Sequence, residues 1–93
     1  MKQVWKYAIP TERCFQLNIP CVADILDVQI QKGGPCLWIL VDPHSKRLMR
    51  RFAFFETAEE IDDSDQPLAY VGTYQFGKGE VAMHLFQKDW WTP

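Results

Sequence analysis

Lys46, Arg47, Arg50 and Arg51 fall within six consecutive positions of a 93-residue chain whose formal net charge is −2. Arginine forks hold phosphate oxygens bidentately, and lysine adds a compact point charge. The chain also carries four Trp, three Tyr and six Phe, whose ring faces can stack a nucleobase. Neutral hydrogen-bonding groups accompany them. Gln29 and Gln31 alternate with apolar residues in one segment, Thr73 and Gln75 in another, and His84 lies in the last such segment. Trp38 follows shortly after the two glutamines. Arginine, aromatic faces and amides are the ingredients of a nucleotide pocket. The competing reading is a solvated sheet face whose arginines pair with acidic side chains, each pair contributing little to stability.

Other chemistries find less support. Cys14, Cys21, Cys36, His44 and His84 are the soft ligands. None forms the close pair that preorganises a structural zinc site, so no metal is expected and the thiols read as small, partly buried apolar groups. A Cys–His nucleophile pair has no nucleophile elbow or oxyanion loop to support it. The acidic run Glu59, Glu60, Asp62, Asp63 and Asp65 lacks the apolar surroundings that would raise one carboxyl pKa for acid catalysis. No enzyme and no cofactor is expected. Trp5, Trp90 and Trp91 are more indole than a core of this size hides, which marks them as interface residues. Self-association would also cover the strand edges of a small β-domain, so a homo-oligomer is expected.

The elements that must position these residues are strands. Val4–Ile9 alternates and is ended by Pro10; Phe15–Ile19 alternates and is ended by Pro20, since proline has no amide for a ladder. Leu26, Val28 and Ile30 are expected to face inward, with Asp27, Gln29 and Gln31 outward. Lys32-Gly33-Gly34-Pro35 is a turn, and Cys36–Val41 is apolar throughout, as in a strand buried on both sides or nearly so. Together these make a central hairpin. Asp42-Pro43-His44-Ser45 is a second turn. In Leu48–Glu56, Arg50, Phe52 and Phe54 share one face and Arg51, Ala53 and Phe55 the other. Thr57–Pro67 is a polar surface loop in which Thr57 and Glu60 suit a capping box on one helical turn. Leu68–Phe76 carries Gly72 in its middle, the mark of a bulge or a close backbone approach. Gly77-Lys78-Gly79 turns the chain into a last strand, Glu80–Gln87. Six to seven such strands make a small all-β, antiparallel sandwich or barrel, with a meander as the simplest topology.

Length allows one domain, residues 1–93, with an aromatic tail over 87–93. A chain this short buries about two thirds of its unfolded surface. The pI near 5.6 carries no electrostatic footprint for nucleic acid. No apolar run reaches the roughly 18–20 residues of a membrane span, and the N-terminus has no apolar signal region. Membrane association is therefore not expected. The odd cysteine count, without a CxxC pair, fits a reducing cytosol.

Several segments carry a resemblance. They are Val4-Trp5-Lys6-Tyr7, Val28-Gln29-Ile30-Gln31, Pro35-Cys36-Leu37-Trp38 running into Leu40-Val41-Asp42-Pro43, Arg51-Phe52, Val71-Gly72-Thr73-Tyr74-Gln75 and His84-Leu85-Phe86. Jointly they resemble a family of small bacteriophage- and prophage-encoded proteins of unknown function. The likeness covers the chain from Lys2 to Phe86, and Gln87 to Pro93 runs past the family's usual end. The resemblance implies an accessory phage protein acting in the cytoplasm of the infected bacterium. It also implies antagonism of anti-phage defence by binding, most concretely sequestration of a nucleotide-derived immune signal by a homo-oligomer. The alternatives are a protein–protein inhibitor of a host defence or CRISPR component, and a structural phage protein without a small-molecule ligand.

Overall fold

Alternating apolar and polar residues shape nearly every element of the computed structural model, which describes residues 1–62 and 68–88. Seven strands follow in order: β1 (Gln3–Ala8), β2 (Cys14–Pro20), β3 (Ala23–Gln31), β4 (Gly34–Val41), β5 (Arg47–Glu56), β6 (Leu68–Phe76) and β7 (Val81–Lys88). A 3₁₀ turn over Gly77–Gly79 joins the last two. The strands form a three-stranded sheet, β1-β4-β3, and a four-stranded sheet, β2-β5-β7-β6. All pairings are antiparallel. The result is an all-β open sandwich; the two sheets do not close into a barrel. A meander describes only the hairpins β3–β4 and β6–β7, because the β1–β4, β2–β5 and β5–β7 pairs join strands distant in sequence.

The core lies between the sheets. Leu37, Ile39 and Val41 point inward from β4 and are wholly buried. Ile19, Phe52 and Leu85 meet them from the four-stranded sheet. Phe15 stacks on Phe52 at 5.3 Å between centroids, a pairing that adds to the area buried. The outer face of β4 is half-covered, with Cys36 buried and Trp38 and Leu40 partly exposed. That position in the middle of its sheet explains why β4 is apolar on both faces.

Bulges correct the expected phase of two strands. In β3 the register shifts between Ile25 and Asp27, so Leu26 occupies the extra position and is 52% exposed. Ile25 takes the inward place opposite Ile39. Of the three residues expected inside, Leu26, Val28 and Ile30, only Val28 is buried; Ile30 sits beside the turn, still exposed. In β6 the shift falls between Tyr70 and Gly72. The extra residue there, Val71, packs on the core. An extra residue reverses the side-chain faces beyond it, since the strand period is two.

Turn chemistry differs in detail from expectation. Gly34 has φ +125° and Gly33 is not left-handed. Gly77, Lys78 and Gly79 are all left-handed, which reverses the chain tightly between β6 and β7. Among the described residues no helical turn follows Thr57. Instead Glu59 folds back on the end of β5: its Oε1 accepts from the Glu56 amide at 2.9 Å, and its carboxylate pairs with Arg13. Glu59 thus does locally what Glu60 was expected to do.

Tyr74 is 4% exposed, and burial pushes its phenol up to about 12. An unfolded tyrosine ionises near pH 10. Above that pH the unfolded chain releases a proton that the folded chain keeps, so stability falls with rising pH. The expected result is a stability loss that begins near pH 10 and continues through about 12. Tyr74→Phe should make that alkaline limb shallower in urea unfolding followed across the range.

Candidate functional site

The outer face of β5, β7 and β6 gathers the polar groups. Register places Phe55, His84 and Thr73 side by side across the three strands. His84 Nδ1 lies 2.9 Å from Thr73 Oγ1, and its Nε2 lies 2.8 Å from Thr57 Oγ1. The Tyr70 hydroxyl meets Thr73 Oγ1 at 2.6 Å. Hydroxyls donate or accept, so the chain Thr57–His84–Thr73–Tyr70 satisfies either imidazole tautomer. An aromatic row runs beside it. Phe86 packs edge-on against Phe55 at 6.0 Å and against Tyr70 at 5.6 Å.

The β6 bulge builds this face. With strict alternation Tyr70 and Tyr74 would point the same way. The extra Val71 sends Tyr70 outward with Thr73, at 61% exposure, and leaves Tyr74 in the core. Gly72 faces inward between them, so close to β3 that a Cβ there would stand 2.5 Å from Val28 Cγ1. Both meanings of a mid-strand glycine therefore apply at once.

A model of a domain of unknown function, DUF7352, matches residues 1–91. The chain belongs to the DUF7352 family. No curated protein and no solved structure matches it. The DUF7352 match extends to residue 91, so it takes in Gln87 to Trp91, which the resemblance had left beyond the family's end. Gln87 and Lys88 are part of β7. Trp90 and Trp91 lie outside the described residues, as do Asp63 and Asp65 of the acidic run.

The DUF7352 fold brings Thr73, Gln75 and His84 onto one face and disperses the other expected ligand residues. Gln75 is opposite Ala82, one step along the same face from His84. Arg51 is on that face too, in register with Lys88. Arg50 points the other way, into the sandwich. Its Nη2 donates to the carbonyls of Cys21 and Ala23 at 3.4 and 3.2 Å, and its Nη1 to Gln87 Oε1 at 3.3 Å. Burial lowers the Arg50 pKa, with Asp24 opposing. Lys46 precedes β5 in the turn. Arg47 lies over the Trp5 ring at 5.1 Å and donates to the Asn18 carbonyl at 3.2 Å. The basic cluster is thus split among an outer face, the interior and an edge.

Gln29 and Trp38 lie on the outer face of the three-stranded sheet, the opposite side of the sandwich. Gln29 Nε2 donates to Asp27 Oδ2 at 2.9 Å. Lys6 Nζ sits 5.6 Å from the Trp38 ring, and the Trp38 N–H is buried without a partner among the described residues. Gln31 closes β3. Trp5, expected at an interface, packs against the core and donates its N–H to Gln3 Oε1 at 2.8 Å. No group of three or more His, Cys, Asp or Glu side chains is placed to hold a metal among the described residues. Thr57, Tyr70, Phe55 and Phe86 belong to the site but were not singled out by spacing. Gly72 was the usable signal, because a bulge there changes which tyrosine faces out.

Proposed function

We propose that this DUF7352 domain binds rather than turns over its ligand, and that it sequesters a nucleotide-derived signal on the outer face of β5, β7 and β6. The observation that carries the reading is the Thr57–His84–Thr73–Tyr70 row lying beside the Phe55–Phe86–Tyr70 row. A base stacks on exposed rings of a sheet, and its edges take hydrogen bonds from side chains beside them. Arg51 and Lys88 place positive charge at one end of the same face, where phosphate would lie. His84 is held between two hydroxyls instead of being oriented by a carboxylate, which favours recognition over nucleophilic catalysis. The resemblance to phage-encoded proteins supports a nucleotide immune signal as the ligand class and the cytoplasm of an infected bacterium as the setting. Edge strands β1 and β2 each pair on one side only, which supports a homo-oligomer.

The test incubates purified protein with cyclic oligonucleotides and ADP-ribose derivatives, removes the protein and heats it to release what it held. Depletion followed by recovery of intact ligand is the expected result. Altered ligand would make the protein an enzyme. No depletion of any compound would overturn the nucleotide reading and direct the search to a host protein, by pull-down from lysate. Tyr70→Ala should weaken capture by about tenfold, the loss of one stacking ring. Its urea midpoint should barely move, because the side chain is mostly exposed.

A further inference from the structure

We propose that the sandwich has a second, separate binding site at the end of its core, and that it takes a neutral one- or two-ring carbonyl compound whose oxygen accepts a hydrogen bond from the Tyr74 hydroxyl. A cavity of about 360 Å³ opens there between the sheets. Ile9 and Pro35 form the wall on the side of the three-stranded sheet, and Phe54, Tyr74, Phe76 and Met83 the wall on the other. No lining residue carries a charge, so an ionised ligand would be desolvated there without a partner. The volume lies within the range of small-molecule sites, and it exceeds a cavity of about 150 Å³ that admits benzene.

The polar feature is specific. Tyr74 is 4% exposed, and among the described residues its hydroxyl has no hydrogen-bond partner. Thr11 adds the other side-chain hydroxyl on the lining. The Tyr74 ring is fixed by edge-on contacts with Phe54 at 6.4 Å and Phe76 at 5.7 Å. The opposite wall is fixed as well, because the Ile9 amide donates to the Pro35 carbonyl at 2.9 Å. A phenol is protonated at neutral pH with or without burial, so the hydroxyl is a donor. It keeps some access to solvent, and a ligand carbonyl would replace water as its acceptor. A rigid apolar slot with one such donor selects a flat ring bearing one carbonyl. This site lies between the sheets, apart from the His84 face, and stands whether or not that face binds nucleotides.

The probes are 1-tetralone and tetralin, the same bicycle with and without the carbonyl, titrated against the full chain. The Met83 methyl resonance reports occupancy. Both should shift it saturably, with tetralone binding tighter. Tyr74→Phe should weaken tetralone by about three- to tenfold, the worth of one hydrogen bond, and leave tetralin unchanged. A Met83 methyl that neither probe moves would overturn the site. Unchanged tetralone affinity in Tyr74→Phe would overturn the donor's role.

Discussion

Gly72→Ala is expected to destabilise the domain by about 2–3 kcal/mol, the upper part of the range for forcing a group into a filled core. The sign is the informative part. A glycine replaced by alanine in ordinary extended backbone gains about 0.4–1 kcal/mol, because the unfolded chain loses freedom. Gly72 is not left-handed, so backbone conformation raises no objection to a side chain. The objection is Val28. A Cβ at position 72 would stand 2.5 Å from Val28 Cγ1. Valine has a stiff χ1, and Val28 is only 5% exposed, so it has nowhere to turn. Relief therefore requires β3 and β6 to move apart. Val28→Ala removes the offending methyl and leaves its Cβ 3.7 Å away, an ordinary contact. The double variant should be more stable than the sum of the single losses predicts, with a coupling of about 1 kcal/mol or more. Urea unfolding of the four proteins measures it. Additive losses would show that the approach of β3 to β6 is not what excludes a side chain.

The same glycine shows how much of the molecule was legible beforehand. Alternation in β2, with Phe15, Leu17 and Ile19 inward, reads directly from period two, and so does the split of Arg50, Phe52 and Phe54 from Arg51, Ala53 and Phe55. Both sequential hairpins announce themselves through glycine turns. Alternation says which residues share a face, but not which strand lies beside which. The pairing of β1 with β4 across two intervening strands, and of β5 with β7, depends on how the two sheets cover one another. Residues that look neighbourly, such as Gln29 and Gln75, therefore end on opposite outer faces. Bulges are the second obstacle. One extra residue at Leu26 or Val71 reverses a strand's phase, and no apolar pattern separates an extra valine from a regular one. Gly72 flagged the second bulge; nothing comparable flagged the first. The site followed this division. Thr73 and His84 were recognisable as outward polar groups, whereas Thr57 joins them only because β5 runs beside β7.

Arg50 carries the other large expected effect, and it reverses the role that its spacing suggests. Four cations in six positions suggest a phosphate cluster that includes both Arg50 and Arg51, although alternation already puts the two on opposite faces. Their opposite faces make them different. The Arg50 guanidinium reaches two carbonyls, Cys21 and Ala23, and the Gln87 side chain. The two carbonyls flank the link from β2 to β3, and Gln87 is in β7, so one side chain ties the start of one sheet to the end of the other. Arg50→Met keeps the apolar stem and removes the donors. It should destabilise the domain by about 1.5–2 kcal/mol, because hydrogen bonds from a charged donor are lost and the carbonyls keep partial access to water. Arg50→Lys should recover little, since a single ammonium cannot span the planar fork's separate acceptors. Ligand capture by the folded Arg50→Met protein should match the parent's, whereas Arg51→Met should weaken it. If Arg50→Met abolishes capture without lowering the urea midpoint, then Arg50 serves the ligand and not the sandwich, and the phosphate end of the site lies between the sheets instead of on their outer face.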